Sequence, residues 1–338
     1  MNLDSGVLVH EASPSEGGSQ ARTPKGVEPV LLGRSASIGE IRSAVALVAK
    51  SPTAVLISGE SGTGKEVVAR LIHAQSDRAN KPFIAVNCGA LPKDVIENEL
   101  FGHEKGAFTG ALPKKAGCFE LAEGGTLFFD ELAEMHTETQ VKLLRAIELK
   151  CFRRLGGTEE IRVDVRTLAA TNRDVSAALK SRDLREDLYY RFSVIEIFIP
   201  PLRERREDIP ILLEAFLGVF GERYGRTGQS FSSDAVEMLT GFDWPGNVRE
   251  LKNVVERAVV MCLEDVIHPK YLPEKINGSR KPSSQISIPV GTSLKGAEKA
   301  IVLQTLASVQ DNRSKAARVL GLSRRALLYK LHRYENGV

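Results

Sequence analysis

Eight consecutive residues, Gly59-Glu60-Ser61-Gly62-Thr63-Gly64-Lys65-Glu66, hold the densest chemistry in the sequence. Their glycines let a backbone curl until several N–H groups face one anion. A lysine at the end of such a turn reaches the outer phosphates of a nucleotide as a mobile charge. The turn follows the apolar run Ala54-Val55-Leu56-Ile57 and precedes Val67, Val68, Leu71 and Ile72 at helical spacing. Strand, Gly-rich turn and helix in that order predict a phosphate-binding loop, with the positive end of the helix dipole at the same spot. Such loops commonly end in Ser or Thr, whose hydroxyl binds magnesium; here that position is Glu66.

A second cluster is Asp130-Glu131, which ends the apolar run Leu127-Phe128-Phe129. Beside a phosphate loop, Asp130 is suited to hold magnesium through water, and Glu131 to orient or deprotonate an attacking water. The bland reading, a helix N-cap with acidic first-turn residues, fits the same pair. Thr171-Asn172 follows another predicted strand, where a polar side chain can reach a terminal phosphate or serve only as a turn residue. Arg185 and Arg191 flank Glu186 and Asp187 and read either as surface ion pairs or as fingers reaching a neighbouring subunit's phosphate. Arg249, after Trp244-Pro245-Gly246, is placed to sense the nucleotide from a second domain.

These residues need a scaffold. Strands are expected at 54–57, 83–86, 127–129, 163–170 and 194–199, separated by helical stretches such as Gln140 to Leu149. Alternating strands and helices imply a parallel sheet covered on both faces, with ligands beyond the C-terminal strand ends. Order is expected from Val30-Leu31-Leu32-Gly33, followed by a helix carrying Ile38, Ile41, Val45 and Val48. The α/β core is expected over 29–200 and a small all-helical domain over 201–276. A linker is expected over 277–291 and a compact helical unit over 292–338. Residues 1–28, rich in Gly, Ser, Pro and Glu, read as a disordered tail.

The bulk figures narrow the setting. Of 338 residues, 42% are hydrophobic and 26% charged, as in a soluble globular protein. A net charge of +3 means that any basic surface is local. Cys88, Cys118, Cys151 and Cys262 lie far apart without paired spacing, which suggests neither a zinc site nor disulfides and points to a reducing cytoplasm. No apolar run approaches the length of a membrane span.

The basic surface is in the last unit. Lys315, Ala316, Ala317, Val319 and Leu320 predict a short helix ended by Gly321, and Ser323 an N-cap for a second. Two helices joined by Gly-Leu-Ser read as a helix-turn-helix. Arg313, Lys315, Arg318, Arg324, Arg325, Lys330 and Arg333 lie between Asn312 and Tyr334, with no Asp or Glu. That asymmetry favours phosphate contact over a merely solvated face. Arg324 and Arg325 open the second helix, the part that enters the major groove in such motifs. Arg313, Lys315, Arg318, Ser323, Tyr329 and Lys330 complete the candidate double-stranded DNA contacts.

With these residues the chain resembles the AAA+ ATPases of bacterial enhancer-binding proteins, the activators of sigma-54 RNA polymerase, over about residues 30–275. The C-terminal unit is similar to their Fis-type DNA-binding domain. The resemblance implies an AAA+ P-loop NTPase core with a helical lid and a C-terminal helix-turn-helix. It makes Glu66 a family feature of the loop. It implies that Asn87 switches the catalytic Glu131, that Thr171-Asn172 is a first sensor and Trp244 through Leu251 a second, and that Arg185 and Arg191 act as fingers. Gly106-Ala107-Phe108-Thr109-Gly110-Ala111 is similar to the signature loop that touches sigma-54. Small residues around Phe108 and Thr109 permit close approach and large backbone swings.

The implied function is ATP- and magnesium-dependent activation. A ring, expected as a hexamer, remodels sigma-54 holoenzyme from an upstream DNA site. A regulatory protein acting in trans is one possible control. Two other readings stay open on the residues alone: a DNA-bound regulator, such as a repressor, that holds nucleotide without turnover, and a remodelling ATPase of replication or protein unfolding.

Overall fold

The structure is a computed structural model that describes residues 29–107, 113–277, 292–308 and 312–335. The expected tail over 1–28 and nearly all of the expected linker lie outside the described residues. The chain divides into two compact units after Pro273, so the α/β core and the following helices form one unit.

The first unit is built on five parallel strands: β1 (Val55–Ser58), β2 (Phe83–Asn87), β3 (Thr126–Asp130), β4 (Arg166–Thr171) and β5 (Ile195–Phe198). Their order across the sheet is β2-β3-β4-β1-β5. Alternate residues feed two separate cores. Val55, Ile57, Phe128, Leu168 and Ala170 face one, and Leu56, Leu127, Phe129 and Ala169 face the other. Both faces are covered, so the strands read as continuous apolar runs. Helices α1 (Ala36–Ala49) and α2 (Lys65–Ala74) pack on the first face through Ile38, Ile41, Val45, Val67, Val68 and Ile72. On the other face lie α3 (Lys93–Phe101), α4 (Thr137–Leu149) and α5 (Glu186–Phe192).

The expected fourth strand begins three residues too early. Arg78 donates to the Asp164 carbonyl at 2.9 Å and to its carboxylate at 2.8 Å, and the Gly124 N–H also bonds that carbonyl. These bonds turn residues 163–165 out of the sheet. Ile161–Arg162 instead pairs antiparallel with Cys151–Phe152.

After the sheet come α6 (Ile209–Tyr224), α7 (Ser233–Gly241) and α8 (Asn247–Met261). This part is not purely helical: Ser230–Phe231 pairs with Val266–Ile267. Two-residue strands carry no period for a sequence pattern to reveal. Among the described residues no helix is long and apolar enough to cross a membrane.

The second unit contains α9 (Leu294–Ser308), α10 (Arg313–Val319) and α11 (Arg324–Glu335) around Val302, Ala316, Ala317 and Leu327. Asn312 caps α10 by accepting the Lys315 N–H at 3.1 Å, and Gly321 ends it at φ 67°. Ser323 Oγ accepts the Ala326 N–H at 3.2 Å.

Candidate functional site

Strand register puts the candidate residues side by side. Asn87 pairs with Asp130 across β2 and β3, and Ser58 with Thr171 across β1 and β4, all at C-terminal strand ends. The 59–64 turn leaves β1 at that edge and runs into α2 at Lys65. Lys65 is buried, and its Nζ donates to the carbonyls of Gly59 at 2.8 Å and Glu60 at 3.0 Å. Thr63 Oγ1 donates to the Glu60 carbonyl at 2.8 Å. Glu66 is bound by its neighbour one turn on, with Arg70 Nε donating to it at 2.8 Å.

Burial dominates the electrostatics of the site. Desolvation holds the Lys65 ammonium below the usual lysine range, although Asp130 and Glu131 pull the other way. Desolvation also raises the Asp130 carboxyl, against the opposing pull of Lys65. Each charge is short of solvation, which suits both to the opposite charges of a phosphate and a cation.

Glu131 is held in left-handed backbone. It sits at φ 57°, ψ 45° at the N-cap of the 3-10 turn Leu132–Glu134, yet its side chain makes no capping bond. The N-cap reading therefore holds for its position and fails for its carboxylate. Asn172 Nδ2 donates to Glu131 Oε1 at 3.4 Å. Asn87 is engaged elsewhere: its Oδ1 accepts the N–H groups of Gly89 at 2.9 Å and Ala90 at 3.0 Å. Thr171 is buried, with its Oγ1 accepting the Arg173 N–H at 3.2 Å.

Sequence reasoning passes over Gly89. A Cβ there would lie 2.5 Å from Glu131 Oε2 and 3.2 Å from Glu134 Cβ. The obstructed atom is the end of a flexible side chain, so the fold tolerates the methyl while the carboxylate moves. A 1 Å displacement of a reacting group costs about 10²-fold. Gly89→Ala is expected to lower nucleotide turnover by about that factor with an unchanged melting temperature. A steady-state assay paired with a thermal melt checks it.

The helices after the sheet reach the loop directly. Arg249 Nη1 donates to Ser61 Oγ at 2.9 Å, Arg205 Nη2 to the Thr63 carbonyl at 2.9 Å, and Arg203 makes two bonds to Glu60. Asp208 accepts the N–H groups of Arg34 and Ser35 and the Ser35 hydroxyl, which ties the start of the core to the same helices. Arg203, Arg205 and Asp208 belong to the mixed-charge run Arg203-Glu204-Arg205-Arg206-Glu207-Asp208, which by itself reads as a solvated face.

Arg185 and Arg191 are not gathered at their own chain's loop residues. Arg185 is the N-cap of α5 and pairs with Asp187 at 2.6 Å, as the surface-pair reading expects. Arg191 is exposed in the last turn, and it lines a cleft with Pro52, Thr53 and Arg166 at the start of the strands.

Of the six loop residues, Phe108 to Ala111 lie outside the described residues. Gly106 has φ 81° with open space around it. The loop's base is tied at both sides. His103 Nε2–H donates to the Pro113 carbonyl at 2.9 Å. Arg154 donates to Glu104 at 2.7 Å and to Glu120 at 2.9 Å.

In the second unit Arg313, Lys315, Arg318, Ser323, Arg324, Arg325 and Tyr329 are exposed. Lys330 instead pairs with Glu298 of α9, an acid outside the 312–334 stretch. In α11, Leu327 is fully buried while Leu328 stays 36% exposed.

Comparison with known proteins decides the family. Residues 31–198 match the sigma-54 interaction domain, 203–288 the AAA+ ATPase lid domain and 293–334 the Fis family of bacterial regulatory proteins. The chain is 47% identical over 310 residues to the regulatory protein AtoC of Escherichia coli, covering 90% of this chain and 67% of that one. The chain belongs to the sigma-54 enhancer-binding proteins. Response regulator protein PilR of Pseudomonas aeruginosa is 45% identical over 309 residues, covering 90% of this chain and 69% of PilR. Crystal structures of NtrX from Brucella abortus with ADP and with ATP superpose with TM-scores of 0.68 and 0.68 at 35% and 36% identity. They cover 90% and 89% of this chain and 69% and 68% of NtrX. As in this family, the chain joins a nucleotide-binding AAA+ domain of ATPase type to a Fis-type helix-turn-helix.

Proposed function

We propose that this enhancer-binding protein hydrolyses ATP in a ring, as a hexamer in the cytoplasm, and uses the energy to open promoter DNA held by sigma-54 RNA polymerase. The observation that carries the hydrolytic half is Glu131, whose carboxylate is free of capping and contacted by Asn172 at the strand tips beside Lys65. NtrX, bound to ATP or ADP, supports adenine nucleotide as the ligand.

Lys65 and the loop N–H groups hold the phosphates, and Glu131 orients the attacking water and takes its proton. Asp130 is the residue that would hold Mg²⁺. No group of three or more His, Cys, Asp or Glu among the described residues forms a cage. That suits an ion bound through one carboxylate, phosphate oxygens and water. When bound, the ion neutralises phosphate charge.

Arg185 and Arg191 act on a neighbour's nucleotide. Only six residues apart on one helix, they span about 9 Å along its axis. The nucleotide state is read by Asn172 at Glu131, by Asn87 switching to Glu131 from its own turn, and by Arg249 at Ser61, and it repositions the 106–111 loop against sigma-54. Arg324 and Arg325 contact the upstream DNA, with Arg313, Lys315, Arg318, Ser323 and Tyr329 beside them. Exposed Leu294, Ile301 and Leu303 on α9 support pairing of this unit. A partner protein in trans is the proposed source of control.

The test is permanganate reactivity of a supercoiled template with sigma-54 holoenzyme and the full chain. Start-site thymines are expected to become reactive with ATP and to stay protected with a non-hydrolysable analogue. Equal opening with both nucleotides would overturn the coupling to hydrolysis.

A further inference from the structure

Glu60 lies inside the phosphate loop, yet its carboxylate is committed to the lid. Arg203 donates Nη1 to Oε2 at 2.9 Å and Nη2 to Oε1 at 2.7 Å, a two-pronged pair. Asn247 Nδ2 donates to the same Oε2 at 3.1 Å and to the Ser61 carbonyl at 3.0 Å. On its other side, Asn247 Oδ1 accepts the Leu202 N–H at 2.8 Å. One amide thus joins the loop, the chain leaving the sheet and the start of α8.

The backbone around Asn247 is held in a costly shape. Asn247 has φ 51° and is fully buried, and Trp244 has φ 49°. Two non-glycine residues in the left-handed region within four positions persist only where surrounding contacts impose them. Some of those contacts lie within the lid, where Trp244 Nε1 donates to the Leu239 carbonyl and the Asn247 N–H to the Trp244 carbonyl; the others are with the loop. The Gly62 carbonyl accepts the N–H groups of Val248 at 3.0 Å and Arg249 at 3.3 Å. Gly62, at φ 79°, comes so close that a Cβ would lie 2.5 Å from the Gly246 carbonyl oxygen.

We propose that Asn247 and Arg203 are positioning residues that, through Glu60, lock the phosphate loop and the lid into one two-state element. Loop conformation and lid orientation then change together, and Glu60 serves as the lid's anchor. The proposal rests on reading the loop as the nucleotide site, but its coupling of loop to lid is testable with no nucleotide present.

The variants are Glu60→Gln, Arg203→Gln and the double substitution in the full chain. Both side chains are about 40% exposed (41% and 39%), so folding is expected to survive. Hydrogen exchange without nucleotide is expected to quicken in residues 61–65 and in the first turn of α8 together. Binding of a fluorescent ADP analogue is expected to weaken by roughly two- to fivefold in each single variant, the usual loss for a part-exposed ion pair. The double variant is expected to be no worse than either single one. Quickening confined to one segment, or additive losses in the double variant, would overturn the lock. If the wild-type chain bound no nucleotide, the ATPase reading would fail, and the exchange experiment would still decide the coupling.

Discussion

A Glu131→Gln protein is expected to bind ATP as the wild type does and to turn it over about 10²–10⁴-fold more slowly, the usual contribution of a positioned general base. The substitution keeps the shape of the side chain and its reach to Asn172, and it removes the basic oxygen that the proposed mechanism needs to take the proton from water. The left-handed backbone at residue 131 is retained, so stability is expected to change by less than about 1 kcal/mol. Binding of a fluorescent nucleotide and steady-state phosphate release separate the two effects. Turnover within a few-fold of wild type would remove Glu131 from the chemistry and leave it as a left-handed turn residue.

Trp244→Ala is expected to be the most damaging single change to the fold of the first unit. Trp244 is fully buried, sits edge-on to Phe242 at 5.1 Å, and donates Nε1–H to the Leu239 carbonyl at 2.8 Å. Emptying such a site costs about 3–5 kcal/mol and leaves the carbonyl without its partner. For a unit of this size that lowers the melting temperature by roughly 10 °C. Because the Trp244–Asn247 turn seats on Gly62, nucleotide affinity is expected to fall with it. Trp244→Phe, which keeps most of the buried surface, is expected to recover most of the loss. A thermal melt of the three proteins, with and without ADP, checks both statements, and an unchanged midpoint in Trp244→Ala would show that the turn is held by something other than the indole.

The same two residues show how far the sequence reaches. Glu131 is legible because a pair of acids after three apolar residues has few other uses beside a Gly-rich turn. Trp244 is legible only as part of the Trp244-Pro245-Gly246 stretch before Arg249; the indole's depth and the turn's left-handed backbone are not, because neither leaves a periodic trace.

By itself the sequence determined the nucleotide loop, the acidic strand tip, the parallel sheet and the basic helix-turn-helix. Each is a local pattern whose chemistry depends on neighbours along the chain. Only the tertiary structure decided where the carboxylates and guanidinium groups end. It gave Glu60 to Arg203 and Asn247, Lys330 to Glu298 and Glu131 to Asn172. Glu66–Arg70, by contrast, is a one-turn helical pair that the sequence spacing already offers. The others span 32 to 187 positions of chain, and a pairing over that distance is set by how helices and strands pack, which no window of sequence contains.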